Sequence, residues 1–263
     1  MLNRLILPRL VALLTLLLAA GVASAQDDPT APTAVRIRIA HLAPFAGSDQ
    51  ATIAVQINGA AVGGALAYGD RTAYLSLSGA AGPRSIQVLR DGAVALTDSI
   101  TLADGDNSLI ITGDADQVPL GVLLLNDNLA DPGEGMAGLR VTHVAPIGAT
   151  IEATQVDVCS QDGQIFHSSA AGLRYNRTTA YRLIPANTYD LKITRFIEDA
   201  PCSGAVVIDP PALTLAAGSE MTLLLVGDGN NQPLAVFTFE DGLIGNDSPT
   251  DSQLNLPVVF SDK

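Results

Sequence analysis

The chain has 263 residues, with 27 acidic and 14 basic side chains and a formal net charge of −13 at pH 7. A field of that sign repels nucleic acid and anionic membrane surfaces, so we expect neither as a partner. The composition is 48% hydrophobic, enough for a core, but only 4% aromatic and without tryptophan, which disfavours sugar binding by ring stacking.

The N-terminus has the pattern of an export signal. Arg4 and Arg9 flank the start of a short apolar run at residues 10–20, and the small residues 23–25 follow it. A positive region, an apolar run and a small-x-small site describe a cleavable secretory signal, whereas a membrane anchor needs about 20 apolar residues. We predict a signal peptide at residues 1–25 and a secreted, periplasmic or cell-surface protein with no membrane association after cleavage. The alternative is an N-terminal anchor.

Four short segments recur in the same order along the chain, which indicates an internal duplication. The spacing between partners increases gradually, as small insertions in the second copy would produce. The matched pairs are residues 38–44 with 140–146, 68–74 with 175–181, 101–105 with 214–218, and 119–122 with 233–236.

The duplication and the composition together set the expected boundaries. We predict a polar lead-in at residues 26–34, a first repeat at 35–127, a Pro/Gly-containing linker at 128–138, a second repeat at 139–241 and a mobile tail at 242–263.

Within each repeat the apolar residues alternate with period two, which predicts β-strands. Val35, Ile37 and Ile39 alternate with arginines, and residues 53–57 and 191–194 alternate in the same way. Turn pairs such as Asn58-Gly59 and Asp91-Gly92 punctuate the strands. Seven or eight short strands per repeat and no helical face predict an all-β fold of two tandem antiparallel β-sandwich domains.

Two apolar runs, residues 109–111 and 223–226, break the alternation. Strands of this kind are covered on both faces. They lie either at the centre of a sheet or at the contact between the two domains, and the sequence leaves both options open.

Each copy opens with a strand that ends in His-x-Ala-Pro, at residues 41–44 and 143–146, and continues with a Val-x-Val-like strand and a Tyr-led strand. This pattern resembles the bacterial exported family catalogued as domain of unknown function 4397, whose hallmark strand ends in His-Ala-Ser-Pro. Ala43 and Ala145 stand at the position of the hallmark serine. The resemblance covers both copies and implies immunoglobulin-like or transthyretin-like sandwiches in secreted or surface proteins. It implies no reaction.

The repeated histidines are the best-placed polar residues, and by parity they share the buried face of their strands. Each ring either donates a hydrogen bond to a backbone carbonyl of the Ala-Pro turn or acts as a metal ligand or general base. We favour the structural role, because no nearby motif supplies a nucleophile twice. The repeat-matched residues that we expect to be structural are His41, His143, Pro44, Pro146, Tyr74 and Tyr181.

Cys159 and Cys202 are the two cysteines of the chain and form no CxxC or Cys/His cluster. In an oxidising compartment such a pair is typical of a disulfide. We predict a bridge that ties the longer hairpin of the second repeat to its sheet.

Acidic loops near strand ends offer hard oxygen ligands to calcium. The same Asp/Asn/Gly composition is what tight turns require, and turn chemistry is the interpretation that we favour. The weak calcium candidates are Asp104, Asp106, Asp114, Asp116 and Asp228.

The sequence contains no Gly-x-Ser-x-Gly elbow, no His-Glu-x-x-His and no Gly-rich loop feeding a helix. We therefore expect no catalytic residues, no cofactor and no metal. The favoured hypothesis is a non-catalytic binding or structural spacer module of the envelope or exterior, with a protein or envelope component as partner. The alternative is a calcium- or ligand-dependent surface adhesion or sensor domain.

Overall fold

The computed structural model describes residues 34–45, 51–114, 118–129, 131–148, 154–166 and 171–241. The predicted signal peptide, residues 26–33 of the lead-in and the predicted tail lie outside these ranges. Below, the first half denotes residues 34–129 and the second half residues 131–241. Both belong to one compact unit.

The first half is built from eight strands in two four-stranded sheets. The sheet orders are β4-β1-β7-β8 and β3-β2-β5-β6. The strands are β1 (Val35–His41), β2 (Ile53–Ile57), β3 (Ala60–Leu66), β4 (Leu75–Ser76), β5 (Gly82–Arg90), β6 (Ala93–Leu102), β7 (Gly105–Thr112) and β8 (Gly121–Asn126).

The second half contains ten shorter strands. Its main sheet has the order β11-β9-β17-β18, with β12 also paired to β9, and the remaining pairs are β10-β14-β15 and β13-β16. The strands are β9 (Met136–His143), β10 (Val156–Ser160), β11 (Arg177–Thr178), β12 (Arg182–Pro185), β13 (Thr188–Tyr189), β14 (Leu191–Arg195), β15 (Val206–Ile208), β16 (Leu213–Thr214), β17 (Glu220–Val226) and β18 (Ala235–Asp241).

The prediction of an all-β fold is confirmed, but the expectation of purely antiparallel sheets is wrong. β1 pairs in parallel with β7, and β9 pairs in parallel with β17. Parallel neighbours need a long crossover connection, and here β2–β6 supply it in the first half. Alternation along a strand shows which side chains are buried but does not show the direction of the neighbouring strand.

The connector between the halves is shorter than predicted. β9 begins at Met136, and Ala137 is fully buried, so the last residues of the predicted linker belong to a strand. Among the described residues, no helix is long and apolar enough to cross a membrane.

The turn pairs act as their chemistry predicts. Asn58 and Gly59 connect β2 to β3 with φ of 50° and 80°, and Asp91 and Gly92 connect β5 to β6 with φ of 50° and 84°. Two consecutive residues at positive φ are typical of the type I′ turn, whose twist matches that of the flanking strands.

Buried apolar side chains form three clusters. One lies within the first half and includes Ile37, Ile39 and Leu109. A second lies within the second half and includes Leu139, Val141 and Leu223. The third draws on both halves. It contains Ala40, Leu42, Ile110, Leu125, Val144, Leu224, Val226, Ala235 and Phe239.

The third cluster answers the question that the unbroken apolar runs left open. β7 lies between β1 and β8, and β17 lies between β9 and β18, so both strands are central in their sheets. Ile110 and Leu224 also belong to the cluster shared by the two halves. Both expected causes of two-sided burial therefore apply.

Candidate functional site: a buried Arg–Asp network between the halves

Two arginines lie on the strand faces that point away from the core of their own half. Arg38 on β1 alternates with the core residues Ile37 and Ile39, and Arg140 on β9 follows Leu139 in the same way. Their exposures are only 3% and 4% because the faces that carry them meet at the shared cluster. A buried guanidinium must be paired, since its desolvation is costly.

Arg38 of the first half reaches the carboxyl end of the second half. Its Nη2 is 2.5 Å from Asp241 Oδ1, and its Nη1 donates to the Glu240 carbonyl at 2.8 Å. Its Nε donates to Ser108 Oγ at 2.9 Å within the first half. All three guanidinium nitrogens therefore form a contact, and the contacts of Nη1 and Nη2 join the first half to the second.

Arg140 of the second half makes the reciprocal contacts. Its Nη2 is 2.5 Å from Asp127 Oδ1, and its Nη1 donates to the Asn126 carbonyl at 2.8 Å. Its Nε donates to Thr222 Oγ1 at 3.0 Å within the second half. Each half therefore contributes an arginine to the other half's carboxylate, in the manner of a two-fold symmetric interface.

Tyrosines complete the coordination of the two carboxylates. Tyr74 donates to Asp127 Oδ2 at 2.8 Å, and Tyr181 donates to Asp241 Oδ2 at 2.7 Å. The guanidinium of Arg38 lies 4.7 Å from the Tyr74 ring centroid, and a cation over a ring at this distance is attracted to it. We call this set the bridging network. Its members are Arg38, Tyr74, Ser108, Asp127, Arg140, Tyr181, Thr222 and Asp241.

Three members of the bridging network, Arg38, Tyr74 and Tyr181, have pKa values above their ordinary values. Burial alone would lower the pKa of Arg38, but Asp241 and its other neighbours raise it above the ordinary value. Burial raises the pKa of both Tyr74 and Tyr181 far above their usual range. Two arginines and two aspartates balance, so the interface buries no net charge within this set.

Glu220 lies beside the bridging network and occupies the position on β17 that corresponds to Asp106 on β7, but it lacks the arginine that pairs with Asp106. In the first half, Arg36 on β1 is paired in register with Asp106 on β7, and Arg36 Nε lies 2.6 Å from Asp106 Oδ1. In the second half Glu220 is paired in register with Gly138, which has no side chain. Burial, followed by repulsion from Asp241, raises the pKa of Glu220 to about 7.

His41 and His143 are both fully buried, as their strand parity predicts. The ring orientation differs from the expected one, because Nδ1 accepts from the N–H of Ala43 or Ala145 in the following turn, at 3.3 Å in each case. The proton of neutral His143 is therefore on Nε2, which donates to the Thr154 carbonyl at 2.7 Å. Burial lowers the pKa of each histidine to about 4, so both rings are neutral at pH 7.

The two repeat-matched prolines follow these histidines. Pro44 and Pro146 are buried in the turns that leave β1 and β9. The Pro44 carbonyl accepts a hydrogen bond of 3.4 Å from Asn231 Nδ2 of the second half. The first turn thus contributes to the contact between the halves.

The calcium candidates are separated and mostly engaged. Asp106 pairs with Arg36, and the Asp104 carbonyl accepts from the Asn128 side chain. Asp114 Oδ1 accepts from the Val118 N–H at 2.7 Å.

Asp228 Oδ1 accepts from the backbone N–H groups of Asn230, Asn231 and Gln232, as turn chemistry predicts. Asp116 lies outside the described residues. Within the described ranges there is no group of three His, Cys, Asp or Glu side chains that could hold a metal ion.

The predicted disulfide is confirmed. Cys159 at the end of β10 is bonded to Cys202, and the two positions are 43 residues apart. The Asp157 carboxylate supports the bridge, since its Oδ2 accepts from the Cys202 N–H at 3.0 Å.

Sequence reasoning missed the charged half of the bridging network. Arg38 and Arg140 occur in the same matched segment as the histidines, and Asp127 and Asp241 close the two predicted repeats. Arginines and aspartates recurring at matched positions, with equal numbers of each sign, are a signal that could have suggested a reciprocal ion pair.

A sequence model of the family described as "Domain of unknown function (DUF4397)" matches residues 36–154, which comprise the first half, the connector and β9 with its histidine turn. No curated protein matches the chain.

Among solved structures, the chain is similar to a leucine-rich repeat protein from Bacteroides thetaiotaomicron, at 13% identity and a TM-score of 0.20. The match covers 73% of this chain and 26% of that protein, so the chain spans about a quarter of its length.

Proposed function

We propose that this chain is a non-catalytic, exported module of the cell envelope or exterior, in which two copies of one β-sandwich are locked into a rigid body. It serves as a structural spacer or as a scaffold that presents its outer surface to a protein or envelope component. The bridging network is the observation that carries this proposal.

Three features of the network support rigidity. It is reciprocal, so a rotation of either half breaks an ion pair at both ends. It is buried, with the four charged side chains at 4% exposure or less, so water cannot replace the lost contacts at low cost. It is also surrounded by the apolar cluster that both halves share.

Function as a non-catalytic module is supported by the chemistry of the buried groups. The two histidines are neutral at pH 7 and are held by hydrogen bonds to the backbone, and the raised pKa values of Tyr74, Tyr181 and Arg38 keep these three side chains protonated. The signal-like N-terminus and the disulfide suit an oxidising compartment outside the cytosol.

Rigidity can be tested by distance measurements between the halves. Val94 on β6 and Val206 on β15 are 56% and 55% exposed, and spin labels on cysteines at these positions report the separation of the halves. We expect a narrow distance distribution in the otherwise unchanged protein and a broader one in the Arg38→Met variant. The exposed Arg182 on β12 provides a matched control, Arg182→Met, which should leave the distribution narrow.

A broad distribution in the otherwise unchanged protein contradicts the rigid body. Export is tested separately, by fractionation of cells and N-terminal sequencing of the purified protein. Turnover of a broad hydrolase or oxidoreductase panel, lost in His41→Ala or His143→Ala, would overturn the non-catalytic assignment. The calcium-dependent alternative predicts calorimetric heat and a higher melting temperature at millimolar calcium.

A further inference from the structure

The second half contains an apolar cavity of about 270 Å³ beneath its main sheet. Among the residues that the structure describes, none of those lining the cavity is charged, and the polar side chains in its wall are two threonines. The lining residues are Leu191, Pro210, Pro211, Ala212, Leu213, Thr214, Met221, Leu223, Val236 and Thr238.

A break in one edge strand forms the mouth of this cavity. In the first half, β6 pairs without interruption along the whole of β5 except for one bulge. In the second half the corresponding pairing is divided between β15, which pairs with β14, and β16, which pairs with β13. Pro210 and Pro211 lie between these strands, and proline has no N–H to donate to a neighbouring strand. No strand is therefore paired with Leu191 on this side of the sheet among the described residues.

A smaller side chain deepens the cavity from the opposite sheet. Leu109 on β7 is paired in register with Leu124 on β8, and Leu124 packs against the core of the first half. The corresponding pair in the second half is Leu223 with Thr238. Threonine is smaller than leucine and leaves room at this point between the sheets.

We propose that this cavity is a binding site for a small, neutral, apolar molecule, such as a medium-length alkyl chain with an uncharged head or a compact aromatic amine. Concave pockets that are lined mostly by apolar side chains, with few polar groups, are typical of sites for small apolar ligands. Its volume lies just below the usual range for drug-sized ligands, which limits the occupant to a small molecule. The Thr238 hydroxyl group allows a hydrogen bond to an uncharged oxygen or nitrogen, whereas Thr214 Oγ1 is already hydrogen bonded to Thr188 Oγ1 at 3.0 Å.

Charge selects the ligand class. A carboxylate or ammonium group inside the cavity would find no oppositely charged side chain in the lining, so the free energy of its desolvation would oppose binding. The site therefore favours 1-dodecanol over dodecanoate, although the two chains have the same length.

Fluorescence with the neutral probe N-phenyl-1-naphthylamine tests the proposal on the full-length oxidised protein. We expect saturable binding of one probe per chain, competition by 1-dodecanol, and at least tenfold weaker competition by dodecanoate. Thr238→Leu, which introduces the residue that the first half has at this position, should weaken probe binding at least tenfold and raise the melting temperature.

The matched control is Thr97→Leu, which adds the same apolar group at an exposed position of β6 in the first half. It should bind the probe like the unchanged protein. If Thr238→Leu fails to fold by circular dichroism, Ala212→Leu in the cavity wall replaces it. No saturable binding, or undiminished binding in the folded cavity variant, overturns the proposal. Neither result bears on the rigidity of the two halves, which the spin-label distances measure.

Discussion

Replacing Arg38 by methionine removes one arm of the bridging network while keeping an apolar stem of similar length. The variant leaves the Asp241 carboxylate, whose side chain has 0% exposure, without the guanidinium at 2.5 Å. Removal of one partner from a buried ion pair costs about 3–5 kcal/mol, because the remaining charge stays desolvated.

Two contacts reduce the expected loss toward the lower end of that range. Arg140 Nη2 remains 3.6 Å from Asp241 Oδ2, and Tyr181 still donates to the same carboxylate. We therefore expect Arg38→Met to lower the free energy of unfolding by about 3 kcal/mol. The exposed control Arg182→Met should change it by less than about 0.5 kcal/mol.

Urea unfolding followed by far-ultraviolet circular dichroism measures both values. A double-mutant cycle with Asp241→Asn isolates the pair, and the double variant should lose about 1–3 kcal/mol less than the sum of the two single losses. A loss in Arg38→Met no larger than in Arg182→Met, or strict additivity in the cycle, would refute the claim that the buried pair stabilises the contact between the halves.

Three further predictions concern titration and the disulfide. The pKa of folded His143 is about 4 and its ordinary value is 6.5, so unfolding takes up a proton between these pH values. In urea titrations, the stability advantage of the unchanged protein over His143→Gln should therefore shrink by about 3 kcal/mol as the pH falls from 7 to 4, and a constant difference would contradict this. The pH dependence of stability due to Glu220 has the opposite sign, because the pKa of Glu220 in the folded protein is raised to about 7. The melting temperature of Glu220→Gln should therefore rise relative to that of the unchanged protein as the pH increases from 5 to 8, and the reverse trend would contradict the assigned environment. The disulfide between Cys159 and Cys202 closes a loop of 43 positions, so the chain-entropy model predicts that the Cys159→Ala/Cys202→Ala variant loses about 4 kcal/mol of unfolding free energy. Thiol labelling of the oxidised, denatured protein should find no free cysteine.

The pattern of the chain by itself determined where strands and tight turns occur. Residues 53–57 alternate, and they form β2 with every second side chain buried. Asn58-Gly59 was predicted to be a turn and adopts positive φ at both positions. Such features depend on backbone conformation over a few residues, so the local sequence contains the physical information that decides them.

The predicted disulfide and the burial of His41 and His143 also follow from local reasoning. Two cysteines without a metal-binding pattern leave few alternatives in an oxidising compartment, and strand parity assigns each histidine to a face. The hydrogen-bond partner of His143 could not be inferred in this way, because Thr154 is brought to the ring by the path of the chain after β9.

Only the tertiary structure decided what covers the second face of the sheets. Alternation places Arg38 opposite the core residues Ile37 and Ile39, and a strand with one polar face is usually solvated there. The ion pair that buries Arg38 joins it to Asp241, 203 positions away. The sequence around each of the two residues does not predict this long-range ion pair. The period-two pattern likewise does not predict that β1 pairs in parallel with β7. Both depend on how complete sheets meet in space, since the free energy of burying an arginine is set by the carboxylate that the other half supplies.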